Sequence, residues 1–435
     1  MGLVAGRREK ESRRRLRVHQ TLGSDCNATG QQRVVRFLRA GFALFFLLCW
    51  LHPAGAQVAQ PDDVEGHGRL PALSAGAEVT LITYTPGEEL YQSFGHSAIR
   101  IRDDLLGMDR LYNFGVFDFD TPNFYLKFAH GDLRYQLAVS EGEEEIQAVG
   151  ASGGGVTELV LNLSSAQKQA VFESLEVNLL PENRFYQYDF VLDNCSTRPR
   201  DVIQKVTGSP IVLPGTGKET FRQMLDPYFA RIPWIGFGLS ILLGAGMDRP
   251  ATPHESCFLP ANLERAFEVG TNGDQRLVSE KRILYSPETL PATFWFLSPV
   301  WIFSAAGILW GLFWSLRRKG HVRWPSALLL IVFGLVGIFV LGYSFWSRAW
   351  VVHENYSVLW LIPLHFPAGL WLWYDGSQPA ILRWYLLFAV AAGVAFVSFS
   401  FLLPQQFYPA VYPLVIILVW RCAIESCQAR KKPLS

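Results

Sequence analysis

Apolar residues are distributed unevenly along the chain. Residues 57–293 mix apolar and polar positions as a globular domain does, whereas residues 294–424 are dense in Leu, Phe, Trp and Val. Within the dense part, five stretches are long enough to cross a bilayer as helices, which takes about 20 apolar residues each. These stretches are residues 294–316, 324–346, 355–374, 381–403 and 407–424. The pattern predicts a globular domain followed by an all-α transmembrane domain of five helices.

The globular part contains both strand and helix patterns. Residues 77–139 hold four segments that alternate apolar and polar positions and are rich in β-branched and aromatic residues, which favours strands. Residues 164–180 have helical spacing, with a serine cap and Pro181 as a stop. A strand over 185–193 and a helix over 198–208, ended by a glycine, are predicted next. This succession indicates an α+β domain.

The distribution of charge predicts how the chain is oriented in the membrane, and the net charge argues against nucleic acid as a partner. The formal net charge of +1 offers no basic excess for nucleic acid. Among the short loops between the spans and the tail, one side carries only Arg348. The other side carries Arg317, Arg318, Lys319, Arg323, Arg383, Arg421, Arg430, Lys431 and Lys432. By the positive-inside rule this basic side is cytoplasmic, so residues 57–293 lie outside and residues 425–435 form a cytoplasmic tail.

The N-terminal residues 1–56 are interpreted as a basic extension and a signal peptide. An apolar stretch covers residues 40–51 and is followed by Ala54, Gly55 and Ala56, the small-x-small pattern that signal peptidase prefers. Cleavage there releases the globular domain outside the membrane, which agrees with the charge-based orientation. An uncleaved anchor is the alternative.

One cysteine and one histidine are candidates for chemistry. Cys195 stands just before a proline-marked helix, where Asp193 or Asn194 is a candidate cap. N–H groups at a helix N-terminus favour a thiolate and can also stabilise an oxyanion. His96 stands where a glycine-marked turn enters a strand and is the candidate base. The two residues together predict an activated nucleophile.

Two other interpretations of Cys195 stay open at this stage. The outer domain has one further cysteine, Cys257, and two cysteines outside the cytoplasm often form a disulfide. A zinc site made of His96, His130 and Cys195 is a weaker alternative because these residues lack ligand-like spacing. No motif indicates a metal or an organic cofactor.

The third predicted span has polar residues at its outer end. His353 and Asn355 lie there, and His365 lies deeper. Polar groups at the rim of a membrane helix are costly unless they serve a pathway, a partner or a substrate. We therefore expect His353 and Asn355 to form a substrate site at the membrane interface, with simple interfacial solvation as the alternative.

Several segments resemble the Lnb family of bacterial lipoprotein N-acyltransferases. They are "YQSFGHSAIRI", "LYNFGVFDF" and "YDFVLDNCSTRPRD", with "LGAGMDRPATPHESCFLPANL" and "HENYSVLWLIPL" resembling further family motifs. The resemblance covers nearly everything from residue 77 to residue 424. It implies a permuted papain-like (NlpC-type) α+β domain, in which the histidine precedes the cysteine, followed by the transmembrane domain.

The resemblance also implies roles for individual residues. Cys195 is the nucleophile, His96 is the base, and a polar group on the next strand, Asn113 or Tyr112, orients the imidazole. Arg198, Arg200 and Asp201 either hold the cysteine loop or meet a phosphate headgroup.

The implied reaction is an acyl transfer without a cofactor at the bacterial inner membrane, with the catalytic domain in the periplasm. A membrane phospholipid donates the acyl chain through a cysteine thioester, and the α-amino group of a diacylglyceryl lipoprotein accepts it. One rival is a membrane-tethered cysteine peptidase or amidase that acts on cell-wall peptides. Another is a non-enzymatic lipoprotein-binding factor.

Overall fold

The structure is a computed structural model that describes residues 70–87, 92–117, 121–215, 217–287, 295–316, 322–374 and 379–428. The predicted signal peptide and basic extension, residues 1–56, lie outside the described residues. So do residues 317–319 and 430–432, which contribute to the charge-based orientation.

Within the described residues, seven strands form one antiparallel sheet at the centre of the outer domain. Its strands, in chain order, are β1 (Glu78–Tyr84), β2 (His96–Asp103), β3 (Met108–Val116), β4 (Arg134–Glu141), β5 (Val156–Leu161), β6 (Phe185–Gln187) and β9 (Val278–Tyr285). A separate small hairpin of β7 (Thr271–Asn272) and β8 (Gln275–Arg276) precedes β9 in the chain. The order across the sheet is β6-β4-β3-β2-β1-β5-β9. The four strands predicted between residues 77 and 139 are thus confirmed as β1 to β4.

The strand predicted over residues 185–193 is wrong beyond Gln187. The chain turns at Asp189, whose Oδ1 accepts the backbone N–H groups of Val191 and Leu192, both at 2.9 Å. A short polar side chain that bonds to the backbone ahead of it favours a turn over a strand. The turn carries the chain away from the sheet and towards Cys195.

Helices pack on both faces of the sheet. Those of the outer domain are α1 (Phe124–His130), α2 (Gly142–Ala151), α3 (Ser165–Leu179), α4 (Thr197–Thr207), α5 (Phe221–Arg231), α6 (Pro233–Leu242) and α7 (Pro260–Val269). The helix predicted over residues 164–180 is confirmed as α3, which begins with a capping box between Ser164 and Gln167. The next predicted helix is α4, which ends at Gly208 in the left-handed conformation.

Alternation along the strands separates two apolar cores. In β1, Val79 and Leu81 face a main core that includes residues of α3, α4 and α7. Ile82 and Tyr84 face the opposite side, where Ile146 of α2 packs against them. Successive side chains of a strand point to opposite faces, so each strand serves both cores.

The C-terminal region is helical, with α8 (Pro299–Leu316), α9 (Trp324–Trp346), α10 (His365–Tyr374), α11 (Ala380–Phe399) and α12 (Val411–Gln428). In the described part of the chain, three helical segments are long and apolar enough to cross a membrane: Pro299–Leu316, Trp324–Trp346 and Ala380–Leu402. The third predicted stretch differs from a continuous helix. It contains a 3-10 helix at Tyr356–Leu359 and becomes α-helical only at His365, after Pro363, which has no backbone N–H to donate.

Helix α6 joins the outer domain to the membrane helices. It is short and apolar, and Phe237, Ile241 and Leu242 pack against the core that the membrane helices form. Directly after it, the N–H of Gly244 donates to the Val351 carbonyl at 2.8 Å. The sequence pattern placed these residues in the globular part and predicted no helix there; ten residues are too few for a membrane span.

Candidate active site

Cys195 lies two residues before α4, in a loop that Asn194 holds in place. The Asn194 Oδ1 accepts the N–H groups of Ser196 at 2.8 Å and of Thr197, the first residue of α4, at 2.9 Å, which fixes the turn that leads into the helix. Its Nδ2 donates to the carbonyls of Phe190 and Phe258. Asp193, the other candidate cap, instead forms an ion pair with Arg198. Asn194 is nearly fully buried, so the position of the cysteine is fixed by an interior side chain.

His96 is the first residue of β2 and is hydrogen-bonded to the sulfur of Cys195. The turn before it requires glycine, because Gly95 has a φ of 81° and a Cβ there would lie 2.6 Å from the Tyr84 carbonyl oxygen. Both His96 and Cys195 are partly exposed, so a substrate can reach them. Residues almost 100 positions apart in the sequence therefore meet as one pair.

The tautomer of His96 follows from a hydrogen-bond chain through Asn113. The imidazole Nε2 lies 3.1 Å from the Asn113 Oδ1, and the Asn113 Nδ2 donates to Glu145 at 3.0 Å and to Ser140 at 3.2 Å. Because the amide nitrogen of Asn113 donates to Glu145 and Ser140, its amide oxygen faces the imidazole as an acceptor. Nε2 therefore carries the hydrogen, and Nδ1 is left to take a proton from the sulfur.

Glu145 at the far end of this chain was not found from the sequence. Besides Asn113, it accepts hydrogen bonds from Ser140 and, at 3.4 Å, from the hydroxyl of Tyr84. The Tyr84 ring also lies nearly parallel to the imidazole of His96, with the ring centres 5.9 Å apart. Glu145 is one of three consecutive glutamates in the first turn of α2. Acidic residues in a first turn stabilise a helix by themselves, so the sequence did not distinguish this one.

Tyr112, the alternative choice for the orienting group, does not fit the geometry. Its side chain faces the main core, and its hydroxyl donates to Glu176 at 2.5 Å. Asn113 is the next residue along β3 and points to the other face, towards His96.

The electrostatics of the pair favour charge separation. Burial alone raises the pKa of the Cys195 thiol, but the charge and hydrogen bond of His96, the N–H of Ser97 and the hydroxyl of Ser196 outweigh it and lower the pKa. Burial alone lowers the pKa of His96, but the Cys195 charge and hydrogen bond and the Asn113 contact raise it above its ordinary value. The two shifts stabilise a thiolate beside an imidazolium, the reactive form of a cysteine nucleophile.

One expected feature of the site is corrected by the structure. The N–H groups at the start of α4 were expected to receive an oxyanion, but those of Ser196 and Thr197 already donate to Asn194. The N–H of Ser97 donates to the sulfur itself. These three N–H groups are therefore not free to bind an oxyanion.

Cys257 and His130, the residues of the disulfide and zinc alternatives, have partners of their own. Both Cys195 and Cys257 are free thiols. Cys257 is fully buried, its sulfur lies 3.7 Å from the Pro253 carbonyl oxygen, and burial raises its pKa to about 11. His130 bonds to Asp132 at 2.6 Å and packs edge-on against a tryptophan of α9.

Two arginines near Cys195 are bound by the protein itself. Arg198 pairs with Asp193, its contacts being 2.5 and 2.7 Å long. Arg200 is buried, pairs with Asp201 at 2.7 Å and donates to the His254 carbonyl at 2.9 Å. Of the two roles considered for these residues, the contacts support holding the cysteine loop.

His353 and Asn355, expected at a substrate site, are placed at the joint between the two parts of the chain. The imidazole of His353 contacts the Ser347 carbonyl oxygen at 2.9 Å. The Asn355 Nδ2 donates to the carbonyls of Ile241 and Leu242 at the end of α6. These contacts use the polar groups to connect α6 to the loop after α9, and they indicate a structural role.

The outer domain is an α/β domain in which helices flank an antiparallel sheet, and it carries the paired cysteine and histidine. The long apolar helices that follow make the chain a membrane protein. The chain belongs to the Lnb family. The family model described as the Lnb N-terminal periplasmic domain matches residues 74–225, and the one described as the Lnb transmembrane domain matches residues 292–433. No curated protein and no solved structure matches the chain. Membership of this family indicates a membrane protein of lipoprotein maturation that is similar to N-acyltransferases. Residues 74–225 belong to its periplasmic domain.

Proposed function

We propose that the protein is a lipoprotein N-acyltransferase that works through a thioester on Cys195. The acyl donor is a membrane phospholipid, and the acceptor is the α-amino group of the lipidated N-terminal cysteine of a lipoprotein. The observation that carries the proposal is the Cys195 and His96 pair, with its lowered and raised pKa values, inside the matched Lnb periplasmic domain.

In the first half-reaction the Cys195 thiolate attacks the ester carbonyl of the phospholipid. A carbon–sulfur bond forms, and the carbonyl electron pair moves onto oxygen. When this pair returns, the bond to the glycerol oxygen breaks, and the His96 imidazolium gives that oxygen its proton. The products are an acylated Cys195 and a lysophospholipid. Asn113 keeps the imidazole in the required tautomer throughout.

In the second half-reaction the lipoprotein amine attacks the thioester. His96, now neutral, takes a proton from the amine as the nitrogen–carbon bond forms, and the sulfur leaves as a thiolate. A thioester is suited to this step because amines react with it readily and it retains much of the energy of the ester. The reaction regenerates the starting pair of charges.

The contacts between the outer domain and the membrane helices favour a lipid substrate over a cell-wall peptide. The Trp350 Nε1 donates to Asp189 at 2.9 Å, and Asp189 forms the turn that leads to Cys195. Arg348 pairs with Asp132 at 2.6 Å, and its N–H donates to the His130 carbonyl at the end of α1. The cysteine loop is therefore tied to the loop that follows α9, and this connection to the membrane helices supports a lipid substrate.

The finer architecture belongs to the same proposal. The histidine precedes the cysteine, each stands at the start of a strand or helix, and the orienting asparagine lies on the adjacent strand, which supports a permuted papain-like domain. We also propose that the chain crosses the inner membrane five times, that its signal peptide is cleaved and that its C-terminus is cytoplasmic.

Trapping the intermediate tests this function. The full-length protein in detergent is incubated with phosphatidylethanolamine, and peptide mass spectrometry is used to look for a fatty acyl mass on Cys195. Cys427→Ser is the matched control, since that thiol is exposed at the end of α12 and should not affect the reaction. A Cys195→Ser protein that still N-acylates lipoproteins in cells lacking other N-acyltransferases would refute the proposal. Cleavage of cell-wall peptides without acylation would favour the peptidase.

A further inference from the structure

The proposed thioester chemistry creates a negative charge on the carbonyl oxygen, and this charge needs a hydrogen-bond donor. Attack on a carbonyl produces an oxyanion, and donors aimed at it are often the largest single contribution to catalysis. The N–H groups of Ser196 and Thr197 are bound to Asn194, and that of Ser97 is bound to the sulfur. The oxyanion therefore needs a donor other than these three N–H groups.

Tyr186 has a hydroxyl that the fold leaves unused. It is the middle residue of β6, and its side chain is only 8% exposed. Among the described residues, its hydroxyl has no hydrogen-bond partner. A buried polar group without a partner costs on the order of 1–3 kcal/mol, so such a group calls for a functional or structural reason.

The hydroxyl lies close to the Cys195 side chain, across Gly115 of β3. The strand register shifts between Asn113 and Val116 of β3, and Gly115 within this irregularity has a φ of 90°. A Cβ at Gly115 would lie 3.6 Å from the Cβ of Cys195 and 3.9 Å from the hydroxyl oxygen of Tyr186. The Cys195 side chain and the Tyr186 hydroxyl thus both lie next to the position that a side chain of residue 115 would occupy.

Arg198 prepares the hydroxyl to act as a donor. Its guanidinium carbon lies 3.7 Å from the centre of the Tyr186 ring, and its ion pair with Asp193 holds it there. A cation over an aromatic face draws electron density from the ring, which makes the phenol a stronger donor. Burial and the nearby Cys195 charge raise the pKa of Tyr186 nevertheless, so the phenol keeps its proton at physiological pH.

We infer that the hydroxyl of Tyr186 donates a hydrogen bond to the oxyanion formed when Cys195 attacks an acyl carbonyl. The inference rests on the proposed function and adds a catalytic residue to it. As the carbon–sulfur bond forms, the carbonyl oxygen takes up the electron pair and accepts the Tyr186 hydrogen bond. When the pair returns and the alcohol leaves with the proton of His96, the hydroxyl is released unchanged, so no proton is transferred through it.

Tyr186→Phe tests the assignment by removing one oxygen atom. The rate of Cys195 acylation in a single turnover with phosphatidylethanolamine should fall about 100-fold or more, as when one oxyanion donor is lost elsewhere. Alkylation of Cys195 by iodoacetamide forms no oxyanion, so its rate should stay within about twofold of wild type. The melting temperature should be equal or higher, because the lost hydroxyl had no partner. Tyr112→Phe is the matched control: it loses a buried hydroxyl bonded to Glu176, so it should lose stability and keep its acylation rate.

The outcomes separate this inference from the proposed function. If wild-type protein acquires no acyl group from phosphatidylethanolamine, the proposed function fails, and acylation by p-nitrophenyl butyrate then still tests Tyr186 on a simple ester. Acylation of Tyr186→Phe at the wild-type rate, with either donor, would overturn the assignment. An equal loss in acylation and alkylation would overturn it too, because the hydroxyl would then act on the thiolate.

Discussion

Replacing Asn113 with alanine removes the hydrogen bond that holds the His96 imidazole. The Asn113 Oδ1 lies 3.1 Å from the imidazole Nε2, and this hydrogen bond favours the charged form of the imidazole. A hydrogen bond to a charged group contributes about 1.5–3 kcal/mol. With about 1.4 kcal/mol for each factor of ten, acyl transfer should slow by roughly 10-fold to 150-fold. The loss should appear mainly in kcat, because Asn113 is placed behind the imidazole and not against the substrate.

The same variant should shift the pH dependence of the thiol. The Asn113 hydrogen bond is one of the causes that raise the pKa of His96, so its removal lowers that pKa. A less stable imidazolium stabilises the thiolate less, and the pKa of Cys195 then rises towards its ordinary value. The alkylation rate with iodoacetamide rises as the thiol ionises, so its midpoint should move to higher pH in Asn113→Ala than in wild type.

Two results would refute this reasoning. One is an acyl-transfer rate within twofold of wild type, and the other is an alkylation midpoint that stays fixed or moves to lower pH. Tyr112→Phe serves as the control on the opposite face of β3, since its hydroxyl bonds to Glu176 and should leave the alkylation profile unchanged.

Two further predictions concern the joint with the membrane helices. Trp350→Phe keeps the aromatic ring but removes the donor to Asp189. Acyl transfer from vesicles should then fall about fivefold, which corresponds to the loss of one hydrogen bond of about 1 kcal/mol, while the reaction with p-nitrophenyl butyrate should be unchanged. An equal loss with both acyl donors would contradict a role of this contact in coupling the site to the membrane. Arg222→Met leaves the carboxylate of Asp248, which is only 2% exposed, without its partner at 2.8 Å, and should destabilise the protein by about 3–5 kcal/mol. Thermal unfolding in detergent measures this, and the double change with Asp248→Leu should recover much of the loss.

Local patterns were sufficient for much of the fold. Period-two alternation identified β1 to β4, and a serine cap with helical spacing identified α3, because these signals depend on neighbours within a few residues. The same kind of reasoning failed after Gln187, where the side chain of Asp189 bonds to the backbone ahead of it. It also overlooked α6, whose ten residues are too few to suggest contact with a membrane domain.

The sequence by itself determined the candidates for chemistry: a cysteine before a helix, a histidine at a strand start and two possible orienting residues on the next strand. Only the tertiary structure decided between Asn113 and Tyr112, because alternation puts them on opposite faces but does not say which face meets His96. Glu145, which fixes the tautomer, and Tyr186, whose hydroxyl is unpaired, likewise became visible only there. Roles of this kind depend on which distant side chains meet and which donors are already used, and that is settled by long-range packing.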